Sequence, residues 1–365
     1  MKKIIFSTII ALLTASSFAQ NLSARILRSG CFDCFQDGLK MNDSTPIYCE
    51  ASACLSYQKQ IFIASDKAIP GKSSLFSFKL SDFKSFKMKY VQDTLIQTGA
   101  KFEDMALSSN KEFVFLTTSF DRVDINSNKL DNYNMLLYWK NQEGSPINIL
   151  ERTENKGKLS SLNLRKKILD ALKSIYPNSP TEYFKIEGIC ILPDQRLLLG
   201  IRELGKDYAN FQYKVLILES TYLVERDEIR INSKFKKALE FTPKINEEVD
   251  KYLGLSGLVY DSQNQQIYLL TSFEKNEGDL SGAFLWNISL TDYEKQGVFQ
   301  PVKNEMGQII EFADKAEGLC MLKKNTLFVI CDADRYLGVE KIEDPIKDFQ
   351  RKPNQATYYV LKINK

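Results

Sequence analysis

The sequence predicts an all-β protein, a single β-propeller of four-stranded blades. Three observations carry that expectation. One apolar hairpin pattern occurs five times. The distance from each occurrence to the next leaves room for one blade, with insertions. A short strand ahead of the first repeat belongs to no blade of its own and can complete the last one.

The chain of 365 residues opens with Lys2 and Lys3, an apolar run from Ile4 to Leu13, and small residues ending at Ser17-Phe18-Ala19. That is the layout of a secretory signal peptide over residues 1–19, leaving a domain over residues 20–365. Its removal lowers the net charge from +3 to +1. No cysteine lies near the cleavage point, so a lipid anchor is not expected, and no later run reaches the roughly eighteen apolar residues of a membrane span. The expectation is a periplasmic or secreted protein, read as a monomer.

The segment Ala24-Arg25-Ile26-Leu27-Arg28 comes next and is assigned to ring closure, because an uncovered strand edge is a template for aggregation. Four cysteines then crowd together, Cys31, Cys34, Cys49 and Cys54. In an exported chain they are candidates for one or two disulfides, and an odd total of seven leaves at least one thiol unpaired. The Cys31-x-x-Cys34 spacing lacks the strand-turn-helix setting of a redox pair.

The repeats begin at Cys49-Glu50-Ala51-Ser52-Ala53, Phe102-Glu103-Asp104-Met105-Ala106, Ile186-Glu187-Gly188-Ile189-Cys190, Leu255-Ser256-Gly257-Leu258-Val259 and Ala316-Glu317-Gly318-Leu319-Cys320. Each is followed by a polar turn, such as Pro193-Asp194-Gln195, and a second apolar strand. Third strands follow at Leu75–Phe78, Met135–Trp139, Tyr213–Leu218, Ala283–Trp286 and Thr357–Leu361. Fourth strands are read at Pro146–Glu151 and Leu223–Ile231, among others. The Glu or Ser positions are 53, 84, 69 and 61 residues apart, so five blades are expected, or six if an insertion hides one. Insertions fall at about residues 153–180 and 233–252. The first carries Leu164, Ile168, Leu172 and Ile175 at helical spacing with Pro177 as a stop.

Composition narrows the chemistry. There is no histidine, which removes Ser-His-Asp and Cys-His catalysis and every His-ligated metal site. Lys plus Arg number 49 against 46 for Asp plus Glu, too even a balance for a nucleic-acid binder.

Equivalent positions in a propeller meet at one radius, so Glu50, Glu103, Glu187 and Glu317 are expected at one mouth of the channel. Such a ring could hold Ca2+ or Mg2+, both of which prefer oxygen ligands. It could equally be neutralised from within, because Lys101, Lys185 and Lys315 each stand two residues before a glutamate. The ends of the second strands supply Asp66, Thr118, Arg202, Ser272 and Asp332, of which Asp66, Arg202 and Asp332 are ligand candidates. Turn capping is the plainer reading for these residues. Cys190 and Cys320 occupy a slot for small apolar side chains and read as core.

On these segments the chain resembles a bacterial β-propeller family known as domain-of-unknown-function 3616, and more weakly the esterase-like phytase propellers. The likeness rests on Cys49–Ala53 with Ala64-Ser65-Asp66, on Ile186–Asp194 with Leu197–Arg202, on Gly254–Gly257, and on Ala316–Cys320 leading to Asp332. Cys320 departs from the commoner Ala. The resemblance implies a propeller and hands over no reaction. Two functions compete: a module binding a small ligand or protein partner on one face, and a divalent-metal phosphoesterase with Arg202 steadying the phosphate.

Overall fold

In the computed structural model, residues 22–79, 87–124, 126–275, 280–332, 338–339 and 349–364 are described, and the signal-peptide reading lies outside them. The five hairpins become the inner and second strands of five blades arranged in a ring. Each apolar strand of six or more residues is too hydrophobic to leave a face in water, so each blade buries both faces against its neighbours.

Blade 1 pairs Ala51–Tyr57, Gln60–Ser65, Leu75–Lys79 and Lys89–Tyr90 in that order; blade 2 pairs Phe102–Leu107, Phe113–Thr118, Leu136–Lys140 and Asn148–Ile149. Blades 3 and 4 are longer. Blade 3 uses Tyr183–Leu192, Arg196–Asp207 and Asn210–Glu225, and blade 4 uses Gly254–Asp261, Gln266–Lys275 and Leu280–Ser289. Blade 5 runs Ala316–Lys323, Thr326–Cys331, Gln355–Asn364, and its outer strand is Ser23–Asp33 from the start of the domain. The closing strand is therefore as the sequence predicts, with Ala24 opposite Ile363 and Arg28 opposite Val360. It also touches blade 4, where the Ala24 amide donates to the Lys303 carbonyl at 2.7 Å.

Five blades account for the ring, and among the described residues no insertion forms a sixth. The first insertion holds the expected helix, Leu162–Ile175, which buries Leu164, Ile168 and Leu172. The second departs from the sequence reading. Leu223–Ile231 is no outer strand: it splits between the end of the third strand and a hairpin to Glu228–Ile231. The outer strand of blade 3 is Lys236–Glu240, inside the stretch assigned to an insertion. Its lysines face solvent and only Ala238 and Leu239 are buried, so the segment shows no alternation to read.

Of the four clustered cysteines, Cys34 and Cys49 form a disulfide, while Cys31 and Cys54 are free thiols. Cys190 and Cys320 are buried, as core residues should be.

Candidate functional site

Every inner strand carries a β-bulge at the same level, and the bulge decides what points into the channel. The residues without a ladder partner are Ser52, Glu103, Glu187, Ser256 and Glu317. Bulges re-aim side chains, and here they turn this one position toward the axis in all five blades. The sequence register for blade 1 is thereby corrected by two residues. Glu50 is not a member of the ring; Ser52 is. Glu50 takes the position that Lys101, Lys185, Gly254 and Lys315 hold elsewhere, and its carbonyl accepts from the Asp66 amide as those of Lys101 and Lys315 accept from Ser119 and Asp332. The equivalent second-strand position is thus Asp66, Ser119, Glu203, Ser272 and Asp332, displacing Thr118 and Arg202 by one.

Arg202 owes its place to a second bulge, which leaves it unpaired on both sides of its strand. Its guanidinium crosses to blade 4. Nη1 lies 3.1 Å from Glu187 Oε2 and donates to Ser272 Oγ at 2.8 Å, while Nη2 donates to the Ser272 carbonyl at 3.4 Å. Gly254 makes room, since a Cβ there would lie 2.6 Å from Arg202 Cγ.

The result is a ladder of alternating charge through blades 2, 3 and 4. Lys101 Nζ sits 3.1 Å from Asp121 Oδ2 and 3.7 Å from Glu103 Oε1. Lys185 Nζ lies 3.5 Å from the same Glu103 oxygen and donates to Glu187, which then meets Arg202. In blade 5 Lys315 pairs with Glu317 at 2.7 Å. In blade 4 Ser256 replaces the carboxylate, and its hydroxyl donates to the Ala316 carbonyl of blade 5 at 2.8 Å. Lys67 donates to Glu50 in blade 1.

These groups are out of water: Glu187 is 1% exposed, Arg202 2% and Lys185 8%. Burial alone raises a carboxyl and lowers an ammonium. At Glu187 burial is outweighed by Arg202 and Lys185, which hold its pKa down at about 2. Against the same burial, Glu103 and Glu187 hold the Lys185 ammonium well above its usual range, and Glu317 and Asp332 do so for Lys315. Glu103 goes the other way. Burial lifts its carboxyl well above the usual range, against Lys185 and Lys101, which are both engaged elsewhere.

Asp104 was missed by the sequence reading. It is fully buried one step inside the ring, where blades 3, 4 and 5 have glycine. Its Oδ1 accepts from its neighbour's amide, Met105 N, at 2.8 Å. Oδ2 accepts from Ile189 N at 2.8 Å and Leu258 N at 3.4 Å, tying blade 2 to blades 3 and 4. Burial pushes this carboxyl well above its ordinary range, and those amides pull it back only in part. The one aspartate in a glycine column was the available signal. Cys54 and Cys320 are free thiols, both buried.

The far end of the channel is different in kind. The last residues of the five inner strands surround an open funnel of about 310 Å3. Each blade contributes an apolar residue to its lining, Leu55, Met105, Ile189, Val259 and Met321 in turn, of which Leu55, Met105 and Ile189 are buried, and polar residues such as Ser56, Gln58 and Asn141 alternate with them. The rim carries Lys111, Lys323 and Lys324, all exposed. It also carries Asp261, which is buried and accepts from Asn264 Nδ2 at 2.6 Å. No candidate residue from the sequence lies here. Apolar residues near a propeller axis read as core, which is why the funnel stayed hidden.

At the charged mouth, each carboxylate of the ring already faces a lysine or arginine. Among the described residues no three carboxylates or cysteines gather in a way that could hold a metal ion. The arrangement is suited to holding blades together.

No family model and no curated protein matches the chain. Among solved structures it is similar to a member of the DUF4221 family from Bacteroides vulgatus, at 8% identity, covering 94% of this chain and 99% of that one with a TM-score of 0.40. It is also similar to the α-L-arabinofuranosidase of Podospora anserina, at 9% identity over 95% and 98% of the two chains and a TM-score of 0.42. A thermostable family-43 glycoside hydrolase aligns at 10% identity over 90% and 96%, with a TM-score of 0.45. At such scores the propeller rests on the strand pairing of this chain, and the neighbours' activities say nothing about it.

Proposed function

We propose that this chain is an exported binding propeller whose ligand seat is the funnel, with the charged mouth serving as a structural latch. The carrying observation is the contrast in occupancy. Arg202 and Glu187, the groups a phosphoesterase would use, are buried against each other and against Ser272 and Lys185. The funnel keeps apolar side chains from all five blades around an open space. Concave, mostly apolar sites with a few polar groups at the edge are where small molecules bind. Export is supported by the basic and apolar N-terminus and by the Cys34–Cys49 disulfide, since such bonds persist in oxidising compartments. Exported protein should begin at Gln20 by mass spectrometry, and an intact Met1 on it would refute the leader.

The binding reading is tested with Nile red, an uncharged dye that fluoresces in apolar sites. The wild type should bind one dye saturably, and Met321→Trp, which narrows the funnel, should weaken binding about tenfold at unchanged melting temperature. Dye fluorescence unaffected by Met321→Trp and by Val259→Phe would place the site elsewhere and overturn the proposal.

A further inference from the structure

The funnel's rim says more than that something binds there. We infer that its ligand is a small amphipathic anion, an apolar body ending in a carboxylate; this rests on the funnel being the binding seat.

The floor sets the body of the ligand. Leu55, Met105 and Ile189 are all buried at its base. A cavity of about 310 Å3 lies at the lower end of the roughly 300–1,000 Å3 usual for small-molecule sites, so the guest is short. The two methionines on the wall adapt to unbranched or aromatic shapes alike.

The rim sets the head. Three exposed lysines, Lys111, Lys323 and Lys324, stand around the rim with a single carboxylate, Asp261, whose oxygens are already hydrogen-bonded. Asp261 takes Asn264 Nδ2 on one oxygen and the Gln263 amide, at 3.0 Å, on the other. The remaining polar rim groups include Ser56, Ser109 and Ser262, whose hydroxyls can donate. An excess of cations and donors around a low-dielectric pocket focuses field on an incoming anion. A cationic ligand would meet the lysines unfavourably, and a neutral one would leave their charge unused. The charged mouth does not compete for such a ligand, because its arginine and lysines already face carboxylates.

The test uses displacement of Nile red by n-decanoate, n-decanol and n-octanoate at low ionic strength. Decanoate should displace the dye about tenfold more tightly than decanol, the scale on which a focused field concentrates an ion. Octanoate should be weaker than decanoate by about fourfold for each methylene lost. Lys323→Gln with Lys324→Gln, at two exposed positions, should erase the preference for decanoate over decanol, with the melting temperature measured alongside. Equal displacement by decanoate and decanol in the wild type, with the dye still in the funnel, would overturn the anion and leave the seat standing. Failure of the dye itself to bind would remove the seat and this inference with it.

Discussion

The two ends of the channel are built from the same five strands and solve opposite problems. At the entry of the inner strands, bulges aim three glutamates inward, and lysines two residues earlier and an arginine from a second bulge meet them. Toward the exit the same strands bring Leu55, Met105, Ile189, Val259 and Met321 to the funnel's lining, with Lys111, Lys323 and Lys324 at the rim. Buried ions require partners, whereas an apolar wall has no hydrogen bonds to satisfy and costs only the surface it leaves to water. A residue at the charged end is therefore tied to the fold, and an exposed one on the funnel's rim, such as Lys323 or Lys324, is available for change. The lesson is that conspicuous charge on a propeller axis can be taken up entirely by contacts between blades.

The largest effect should come from removing what both ends share. A chain beginning at Asn42 lacks Ser23–Asp33, the outer strand of blade 5, and exposes the whole edge of Gln355–Asn364. It should fail to fold cooperatively or should aggregate, taking the latch and the funnel together. A truncated protein that melts like the mature chain would mean that the ring does not depend on closure.

Next in size is Glu187→Gln, which attacks the latch alone. It leaves Lys185 and Arg202 buried without their carboxylate and should cost about 3–5 kcal/mol in denaturant unfolding. Lys185→Met with Glu187→Leu should recover only part of that, because Arg202 remains. The pH signature has a definite sign. Glu187 has a folded pKa of about 2, below the roughly 4.3 of a free glutamate, so its contribution is present above pH ~4.3 and lost as pH falls toward 2. That acid limb should vanish in Glu187→Gln. Calcium should leave the melting temperature of the wild type unchanged; a rise of several degrees, lost in Glu187→Gln, would turn the latch back into a cation site.

Much of this was legible in the sequence, for reasons that particular residues make plain. Leu197-Leu198-Leu199 and Phe113-Val114-Phe115 announce buried strands by hydrophobicity alone, and the Lys185-x-Glu187 spacing places both side chains on one side of an extended strand. Closure by Ala24–Arg28 followed from the need to cover an edge. The bulges were not legible, since an extra residue leaves no compositional mark, and two errors follow from that. Glu50-Ala51-Ser52-Ala53 imitates the repeat two residues too early, and Thr118 sits one residue out of register. Asp104 and the funnel were hidden because axis residues are read as packing, whether they close a gap or line one.

The smallest expected effect makes the sharpest distinction within the charged end. Glu103 looks like Glu187 in sequence but is held differently. Its Oε1 accepts no hydrogen bond among the described residues, and its nearest ammonium groups, at 3.5 and 3.7 Å, are engaged by Glu187 and Asp121. Burial therefore prevails and raises its carboxyl. A carboxyl raised in the folded state stabilises most below the unfolded value of roughly 4.3, and that contribution is lost as pH rises through the folded value. Glu103→Gln replaces a carboxyl whose charged form burial disfavours and its lysines only partly compensate. It should change stability by no more than about 1 kcal/mol at pH 7, against several for Glu187→Gln. It should also flatten the decline in wild-type stability as pH rises above the free-glutamate value of roughly 4.3, measured by urea unfolding at each pH. A loss as large as that of Glu187→Gln, with the pH profile unaltered, would mean that Glu103 is a fully paired anion, and the latch would then be a continuous ladder with no weak rung.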